Sequence, residues 1–70
     1  AASDVYKRQL ITQAPKHLKE EGLLQIVVKS KKSGKQINKI MNKTFGNVHV
    51  LARKSGYRVL ISKAIKHPPQ

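Results

Sequence analysis

Four lysines that follow one short apolar run are the side chains in this chain most suited to binding a ligand. They are Lys29, Lys31, Lys32 and Lys35. Closely spaced ammonium groups can neutralise the phosphates of RNA and position a large polyanion without reading its bases. The alternative is a solvated loop in a lysine-rich protein. We therefore treat these four lysines as candidate RNA contacts and keep the solvated loop as the competing interpretation.

The overall charge also favours an anionic partner such as nucleic acid. Fifteen lysines and arginines oppose only three acidic residues, which gives a formal net charge of +12. Arg53, Lys54 and Arg58 are weaker candidates for RNA contacts, because charges on an edge strand also oppose aggregation. Lysine enrichment can also reflect an AT-rich genome, so charge alone does not decide the partner.

Other polar residues lack the neighbours that catalysis, nucleotide binding or metal binding requires. Ser33-Gly34-Lys35 has no first loop glycine, and Gln36 stands where a P-loop has Ser or Thr. A bare phosphate on a helix N-terminus beside Lys35 is a simpler possibility. The three histidines are widely spaced and the chain has no cysteine, a pattern that does not resemble a metal site. We assign no catalytic, cofactor-binding or metal-binding residue.

Chain length limits what the sequence can form. Its 70 residues lie well below the usual domain size of roughly 100 to 150 residues, so one small core is the most it can bury. Without cysteine, neither disulfides nor a zinc cluster can replace the missing core. No apolar run approaches the about 18 residues of a membrane span, and no signal peptide is visible. We expect a cytoplasmic location.

The first half of the chain predicts a weak helix followed by a strand. Pro15 disfavours helical geometry at the preceding residue, so we expect a helix that begins or kinks near Ala14 and ends at Gly22. Residues 23–28 (LLQIVV) form a nearly unbroken apolar run, which is typical of a strand covered on both faces, as in a parallel sheet. Seventy residues are too few to cover both faces.

A second helix follows the four lysines. Ser33 and Gln36 have the spacing of a capping box, which predicts that the helix begins at Gly34. Gly46 provides a left-handed stop. The apolar residues between them fall on one helical face and are expected to pack on a sheet: Ile37, Ile40, Met41 and Phe45.

The last part of the chain predicts an antiparallel hairpin. Residues 48–53 and 57–62 are the expected strands, and Lys54-Ser55-Gly56 is the expected turn. Alternation places one set of residues of the first strand on one face, namely Val48, Val50 and Ala52. The same alternation places His49 and Leu51 on the other face.

Two stretches carry a resemblance to a known family. Residues 21–28 (EGLLQIVV) and residues 45–60 (FGNVHVLARKSGYRVL) resemble the C-terminal end of the class I methyltransferases of the small-domain type. That family includes the ribosomal small-subunit RNA guanine-N2 methyltransferases. The resemblance covers about residues 14–63, and its most specific part is Phe-Gly-Asn-Val joined to Gly-Tyr-Arg-Val. Glu20-Glu21-Gly22 departs from the proline and second glycine that usually precede the strand, which bears on the turn only.

The resemblance implies an α/β fold, in which this chain is the C-terminal αβαββ portion of a Rossmann-like methyltransferase sheet ending in an antiparallel hairpin. The last strand would insert antiparallel beside the apolar strand. The family's cofactor, S-adenosylmethionine, and its catalytic motif would be held by residues upstream of Leu10. The resemblance thus implies that the intact parent is an enzyme that methylates RNA, with ribosomal RNA as the expected substrate, whereas this fragment alone would be inactive.

The resemblance also divides the chain into three expected segments. Residues 10–64 would be the C-terminal part of the methyltransferase domain, and residues 65–70 a flexible tail. Residues 4–9 (DVYKRQ) can be encoded by a DNA sequence that resembles a transposon adapter used in sequencing. We therefore expect residues 1–9 to be a non-native tail. An ordinary polar N-terminal tail is the alternative.

A second functional class stays open beside the methyltransferase. A free-standing basic module could bind RNA or ribosomes without catalysing any reaction. The apolar run at residues 23–28 and the low aromatic content of 4% argue against it, because sheets that stack bases need exposed rings.

Overall fold

The computed structural model describes residues 2–29 and 31–65. It contains two helices and three strands in the order αβαββ, which confirms the predicted fold class. The elements are α1 (Ala2–His17), β1 (Leu23–Val28), α2 (Lys31–Phe45), β2 (His49–Lys54) and β3 (Tyr57–Lys63). Across these described residues, no helix is both long and apolar enough to cross a membrane.

The three strands form one sheet in the order β1-β3-β2. The last strand therefore lies in the middle and runs antiparallel to both neighbours. Leu23 pairs with Lys63 and Val28 pairs with Arg58, so β1 and β3 are matched along their whole common length. This insertion of β3 beside β1 is the arrangement that the resemblance implied, and it brings the hairpin turn to the carboxyl end of β1.

Both helices pack on the same face of the sheet and enclose the core. Alternate residues of β1 and the central residue of β3 point toward the helices, because side chains along a strand alternate between faces. The buried cluster consists of Ile11, Ile26, Val28, Ile37, Met41 and Leu60. Ile37 and Met41 are 2% and 0% exposed, so the predicted apolar stripe of α2 is its core-facing side.

The other face of the sheet is open within the part of the chain that the structure describes. Leu23 and Val27 are 53% and 54% exposed, although β1 has the continuous apolar sequence of a strand covered on both sides. The reason is that α1 and α2 both lie on the opposite face. The outer edge of β1 also has no neighbouring strand among these residues.

Helix α1 differs from its prediction at both ends. It begins at Ala2 rather than near Ala14 and ends at His17 rather than at Gly22. Pro15 lies in the last turn and removes one helical hydrogen bond, the one that an amide at position 15 would donate to the carbonyl of Ile11. Burial of Ile11 and Ala14 nevertheless favours helix before it. Residues 2–9 continue into this helix without a break, and their non-native origin stays a prediction. The predicted tail at 65–70 lies, from residue 66 onward, outside the described residues.

Helix α2 begins at Lys31, so the predicted start at Gly34 is wrong. Ser33 lies inside the first turn and does not act as the N-cap of a capping box. The earlier start adds Gly34 to the buried stripe that continues through Ile37 and Met41 at spacings of three and four residues. Gly46 ends the helix with a φ of 80°, as predicted.

The hairpin forms near its predicted bounds but contains a β-bulge that the alternation did not predict. Val50 pairs with Leu60, whereas Ala52 pairs with Val59, so the extra residue is Leu51. Val50 and Ala52 consequently lie on opposite faces, and the prediction that they share a face is wrong. The turn residues Ser55 and Gly56 have φ values of 48° and 84°, which is the left-handed pair that favours tight hairpins.

Beside the amino end of β1, the segment before β2 is joined to the end of β3 by a set of hydrogen bonds around Asn47. Its side-chain Nδ2 donates to the carbonyl of Lys63 at 2.8 Å, and the Lys63 amide donates to Asn47 Oδ1 at 2.8 Å. The hydroxyl of the buried Ser62 donates to the Asn47 carbonyl at 2.7 Å. Nearby, the amide of Glu21 donates to the carbonyl of Ala64 at 2.7 Å.

Candidate nucleic-acid interface

The carboxyl end of β1 and the hairpin turn together form a basic cleft. Because Val28 pairs with Arg58, the residues after β1 lie beside the residues that surround the turn. The cleft has a volume of about 430 Å³ and is lined by the turn, by Tyr57 and by five cationic side chains. We call these five residues the basic corner: Lys29, Lys31, Arg53, Lys54 and Arg58. No carboxylate is among the described residues that line it.

Tyr57 is the one aromatic residue among those lining the cleft. It is the first residue of β3 and is 45% exposed. The Lys29 ammonium lies over its ring, 5.9 Å from the centroid. This distance is at the outer limit of a cation–π contact, which at an exposed site stabilises by about 0.5–1 kcal/mol. Both groups therefore remain available to a ligand.

Arg58 is fixed more firmly than the other cations because it packs against helix α2. A Cβ atom placed on Gly34 would lie 3.5 Å from Arg58 Nη1 and 3.6 Å from its Cδ. The same atom would lie 3.4 Å from a methyl group of Val28. These are ordinary van der Waals distances, so the arginine stem packs beside the helix at Gly34. Arg58 is half-buried, and its guanidinium lies at the meeting point of α2, β1 and the hairpin.

Several charges of the basic corner occupy positions that local energetics disfavour. Arg53 and Arg58 are directly opposite each other on β2 and β3, an arrangement in which like charges repel. Lys31 lies in the first turn of α2, which has no acidic residue, and it opposes the helix dipole. Such departures from local preference are concentrated at functional sites in natural proteins.

Two of the three acidic residues of the chain lie at the far end of the sheet. Glu20 and Glu21 both precede β1. They are therefore at the amino end of β1, whereas the basic corner is at its carboxyl end. The sheet separates the two along the length of a six-residue strand, about 20 Å at the usual rise per residue. That separation exceeds the Debye length of about 8 Å at physiological salt.

Only two of the four lysines that the sequence indicated as candidate RNA contacts line the cleft. Lys29 and Lys31 line the cleft. Lys32 and Lys35 are exposed on α2 but are not among the cleft-lining residues. Because α2 begins at Lys31, Lys35 lies in its second turn and not beside the helix N-terminus, where the suggested phosphate site would be. Whether any of the four contacts RNA stays a prediction.

Sequence reasoning did not place the hairpin cations beside the lysines that follow β1. Arg53, Lys54 and Arg58 were the weaker candidates, yet all three line the same cleft as Lys29. They come together because β3 lies between β1 and β2, which no local pattern reveals. Sequence reasoning also did not place Tyr57 in this cleft. The available signal was an aromatic residue directly after a Ser-Gly turn with basic residues on both sides.

Metal binding has no visible basis in the described residues. No group of three histidine, cysteine, aspartate or glutamate side chains within residues 2–29 and 31–65 could hold a metal ion. His17 and His49 lie on α1 and β2, and His67 lies outside the described residues.

The fold is typical of one class of protein. A strand inserted between an apolar strand and its own hairpin partner, with two helices on one face, matches the terminal part of a methyltransferase-type α/β sheet. The family model of the methyltransferase small domain matches residues 1–61. The chain belongs to the methyltransferase small domain family, which confirms the resemblance at the family level.

Family membership supports methyl transfer and, for the family in general, the use of S-adenosylmethionine. In class I methyltransferases, a glycine-rich loop and an acidic residue for the ribose hydroxyls hold this cofactor. In the described residues, lysines rather than glycines follow β1, and Glu20 and Glu21 lie at its other end. These residues therefore do not fit the cofactor, and we derive no chemical step through it.

Proposed function

We propose that this chain is the C-terminal part of an S-adenosylmethionine-dependent methyltransferase that acts on RNA, with ribosomal RNA in the cytoplasm as its substrate. The family match supports methyl transfer. The single observation that carries the RNA substrate is the basic corner, in which like charges are placed together against local preference at the carboxyl end of β1. In open α/β sheets, ligands bind beyond the carboxyl ends of the strands.

RNA accounts for the basic corner better than a small acidic substrate does. The five cations extend from the β1–α2 connection across the hairpin turn, so they can contact several phosphates of one chain. Arginine and lysine contacts to phosphates position a nucleic acid and contribute most of its affinity without selecting its bases. In this proposal, the target base is selected by the rest of the protein, where the cofactor and the catalytic residues lie.

The proposal requires that the remainder of the domain be encoded upstream. We expect the native reading frame to continue before Leu10 for about 130 residues or more, given typical domain sizes. Long-read sequencing of the genomic locus would test this expectation directly. A native start codon immediately before residue 1 would refute both the fragment and the adapter-derived tail.

Salt-dependent RNA binding tests the predicted lysines in the intact protein. Replacing Lys29, Lys31, Lys32 and Lys35 together by glutamine should weaken binding about equally for all RNA sequences. The slope of log affinity against log salt should fall by about 0.7 to 0.9 for each phosphate that the variant no longer neutralises. Cofactor affinity should stay unchanged. An unaltered salt slope would support the competing interpretation that these lysines belong to a solvated loop.

A matched control and two double variants sharpen this experiment. The control replaces four exposed lysines that lie outside the cleft, and it removes the same charge: Lys16, Lys19, Lys43 and Lys63. Of the double variants, the one at Lys29 and Lys31 should account for most of the change in slope. The double variant at Lys32 and Lys35 should have the smaller effect, because only the first pair lines the cleft.

The free-standing RNA-binding module is the second candidate, and the open face of the sheet distinguishes the two. Leu23 and Val27 expose apolar surface beside a strand edge that has no partner among the described residues, which favours association or incomplete folding of an isolated chain. Calorimetry of the 70-residue chain should therefore show no sharp cooperative transition. A monomer that melts cooperatively would favour the free-standing module.

A further inference from the structure

We infer that Tyr57 is a stacking platform for an unpaired nucleobase, so that the basic corner selects single-stranded rather than duplex RNA. This inference rests on the proposed RNA substrate and narrows it to one structural class. Its starting point is the composition of the cleft: one partly exposed aromatic ring among five cations, with no carboxylate among the described lining residues. Stacking rings combined with a positively charged groove are how proteins hold single-stranded nucleic acid.

The position of Tyr57 suits this role. The residue directly follows a two-residue turn with left-handed φ values at Ser55 and Gly56, so its backbone is held by a tight hairpin and by the central strand. Rigid presentation lowers the entropic cost of stacking a base on the ring. At 45% exposure, the ring leaves substantial surface for a planar partner.

Lys29 is arranged so that a base can replace it over the ring. Its ammonium lies 5.9 Å from the ring centroid, near the limit of the interaction, and the side chain is exposed. A base that stacks on Tyr57 would displace this ammonium toward solvent. There it could pair with the phosphate of the same nucleotide, while Arg53 or Lys54 contacts the next phosphate. One weak contact is thus exchanged for a stacked base and an ion pair.

Duplex RNA does not offer the same interaction. Its bases are stacked within the helix, and their faces are accessible only in loops, bulges and ends. Duplex binding would therefore use the cations of the corner but not the ring of Tyr57. The two classes of RNA should respond differently to removal of the ring, whereas removal of a cation should affect both.

The competing interpretation is that Tyr57 only supports the hairpin. It pairs with Lys54 across β2 and β3, and aromatic residues favour strands. Tyr57→Ile keeps a bulky residue of high strand propensity but removes the ring. Tyr57→Phe keeps the ring and removes only the hydroxyl. Tyr6, which is 61% exposed on α1 and outside the cleft, provides the matched control as Tyr6→Leu.

The test uses the intact protein and a ten-nucleotide single-stranded RNA that contains 2-aminopurine, whose fluorescence falls when it stacks. The fluorescence should fall on binding to the unmodified protein and to Tyr57→Phe, but not to Tyr57→Ile. Single-strand affinity should drop by about 5-fold to 150-fold in Tyr57→Ile, in line with the removal of one stacked base. Affinity for an RNA duplex of the same length should not change, and Tyr6→Leu should bind both RNAs normally.

Three outcomes would overturn the inference, and they separate it from the proposed function. Equal affinity of Tyr57→Ile and the unmodified protein for single-stranded RNA would remove the stacking role while leaving the RNA substrate in place. If Tyr57→Ile weakened single-strand and duplex binding equally, the role of Tyr57 would be to support the hairpin and not to stack a base. Failure of the unmodified protein to bind either RNA would refute the proposed substrate as well.

Discussion

The two ends of the sheet differ in how their polar groups are used. At the amino end of β1, Asn47 joins the start of the hairpin to the end of β3 through paired hydrogen bonds with the backbone of Lys63. At the carboxyl end, the basic corner places Arg53 opposite Arg58 and adds lysines without an acidic partner among the described cleft residues. One end satisfies its polar groups internally, whereas the other presents them to solvent.

This difference underlies our proposal that one end serves stability and the other serves binding. Hydrogen bonds to otherwise unsatisfied backbone groups stabilise the fold, and each contributes about 0.5–1.5 kcal/mol. Uncompensated like charges have the opposite effect, so selection for stability alone would disperse them. This contrast is consistent with the proposed anionic ligand at the basic corner, and under that proposal substitutions at the two ends should have opposite consequences.

The largest stability effect is expected at the amino end. Asn47→Ala removes the bonds of Nδ2 and Oδ1 to Lys63 and should lower the free energy of unfolding of the intact protein by about 2 kcal/mol. RNA affinity should be unchanged once the variant is folded. Asn42→Ala, at an exposed position on α2, is the control and should change stability by less than about 0.5 kcal/mol. Equal destabilisation by both variants would mean that the hydrogen bonds of Asn47 do not stabilise the amino end of the sheet.

A smaller effect of opposite sign is expected where α2 meets Arg58. Gly34→Ala should raise the free energy of unfolding by up to about 1 kcal/mol, because alanine is the better helix former. The added Cβ would make ordinary contacts at 3.4 Å to Val28 and 3.5 Å to Arg58. Denaturant unfolding measures the change. A decrease in stability would show that Gly34 is required for the close approach of helix and sheet.

The smallest stability change is expected at Arg53, and it should be accompanied by weaker binding. Arg53→Glu converts a like-charged pair with Arg58 into an attractive one and should stabilise the fold by about 0.5 kcal/mol. The same variant should bind RNA more weakly, because a carboxylate replaces one cation of the corner. Arg53→Gln is the neutral control. Greater stability with unchanged RNA affinity would show that the charge of Arg53 does not contribute to RNA binding.

The sequence predicted the parts of the fold that depend on local patterns. Strand β1 has its predicted bounds, because an apolar run is flanked by Gly22 and Lys29. The predicted start of α2 was three residues too late. The capping pattern at Ser33 indicated a start at Gly34, whereas the buried stripe of the helix includes Gly34 and the helix begins one turn earlier. The bulge at Leu51 has no signature in the sequence, because either register of β2 would place apolar residues toward the core.

The candidate site could be predicted only in part for a related reason. Lys29 and Lys31 are neighbours in sequence and were recognised as a cluster. Arg53 and Arg58 join them through strand order, which periodicity does not determine and which only the family resemblance implied. Tyr57 acquires its proposed role from the cations around it, and those come from two separate parts of the chain.

Methyl transfer by the intact protein tests the central claim most directly. The protein is incubated with methyl-labelled S-adenosylmethionine and RNA, and the kinetics are compared with those of a triple variant in which Lys29, Lys31 and Arg53 are glutamine. We predict that label enters RNA, and that the variant raises the KM for RNA at least about tenfold, which corresponds to about 1.4 kcal/mol, while the KM for the cofactor is unchanged. Absence of label in RNA, or an unchanged KM for RNA in the variant, would contradict the account.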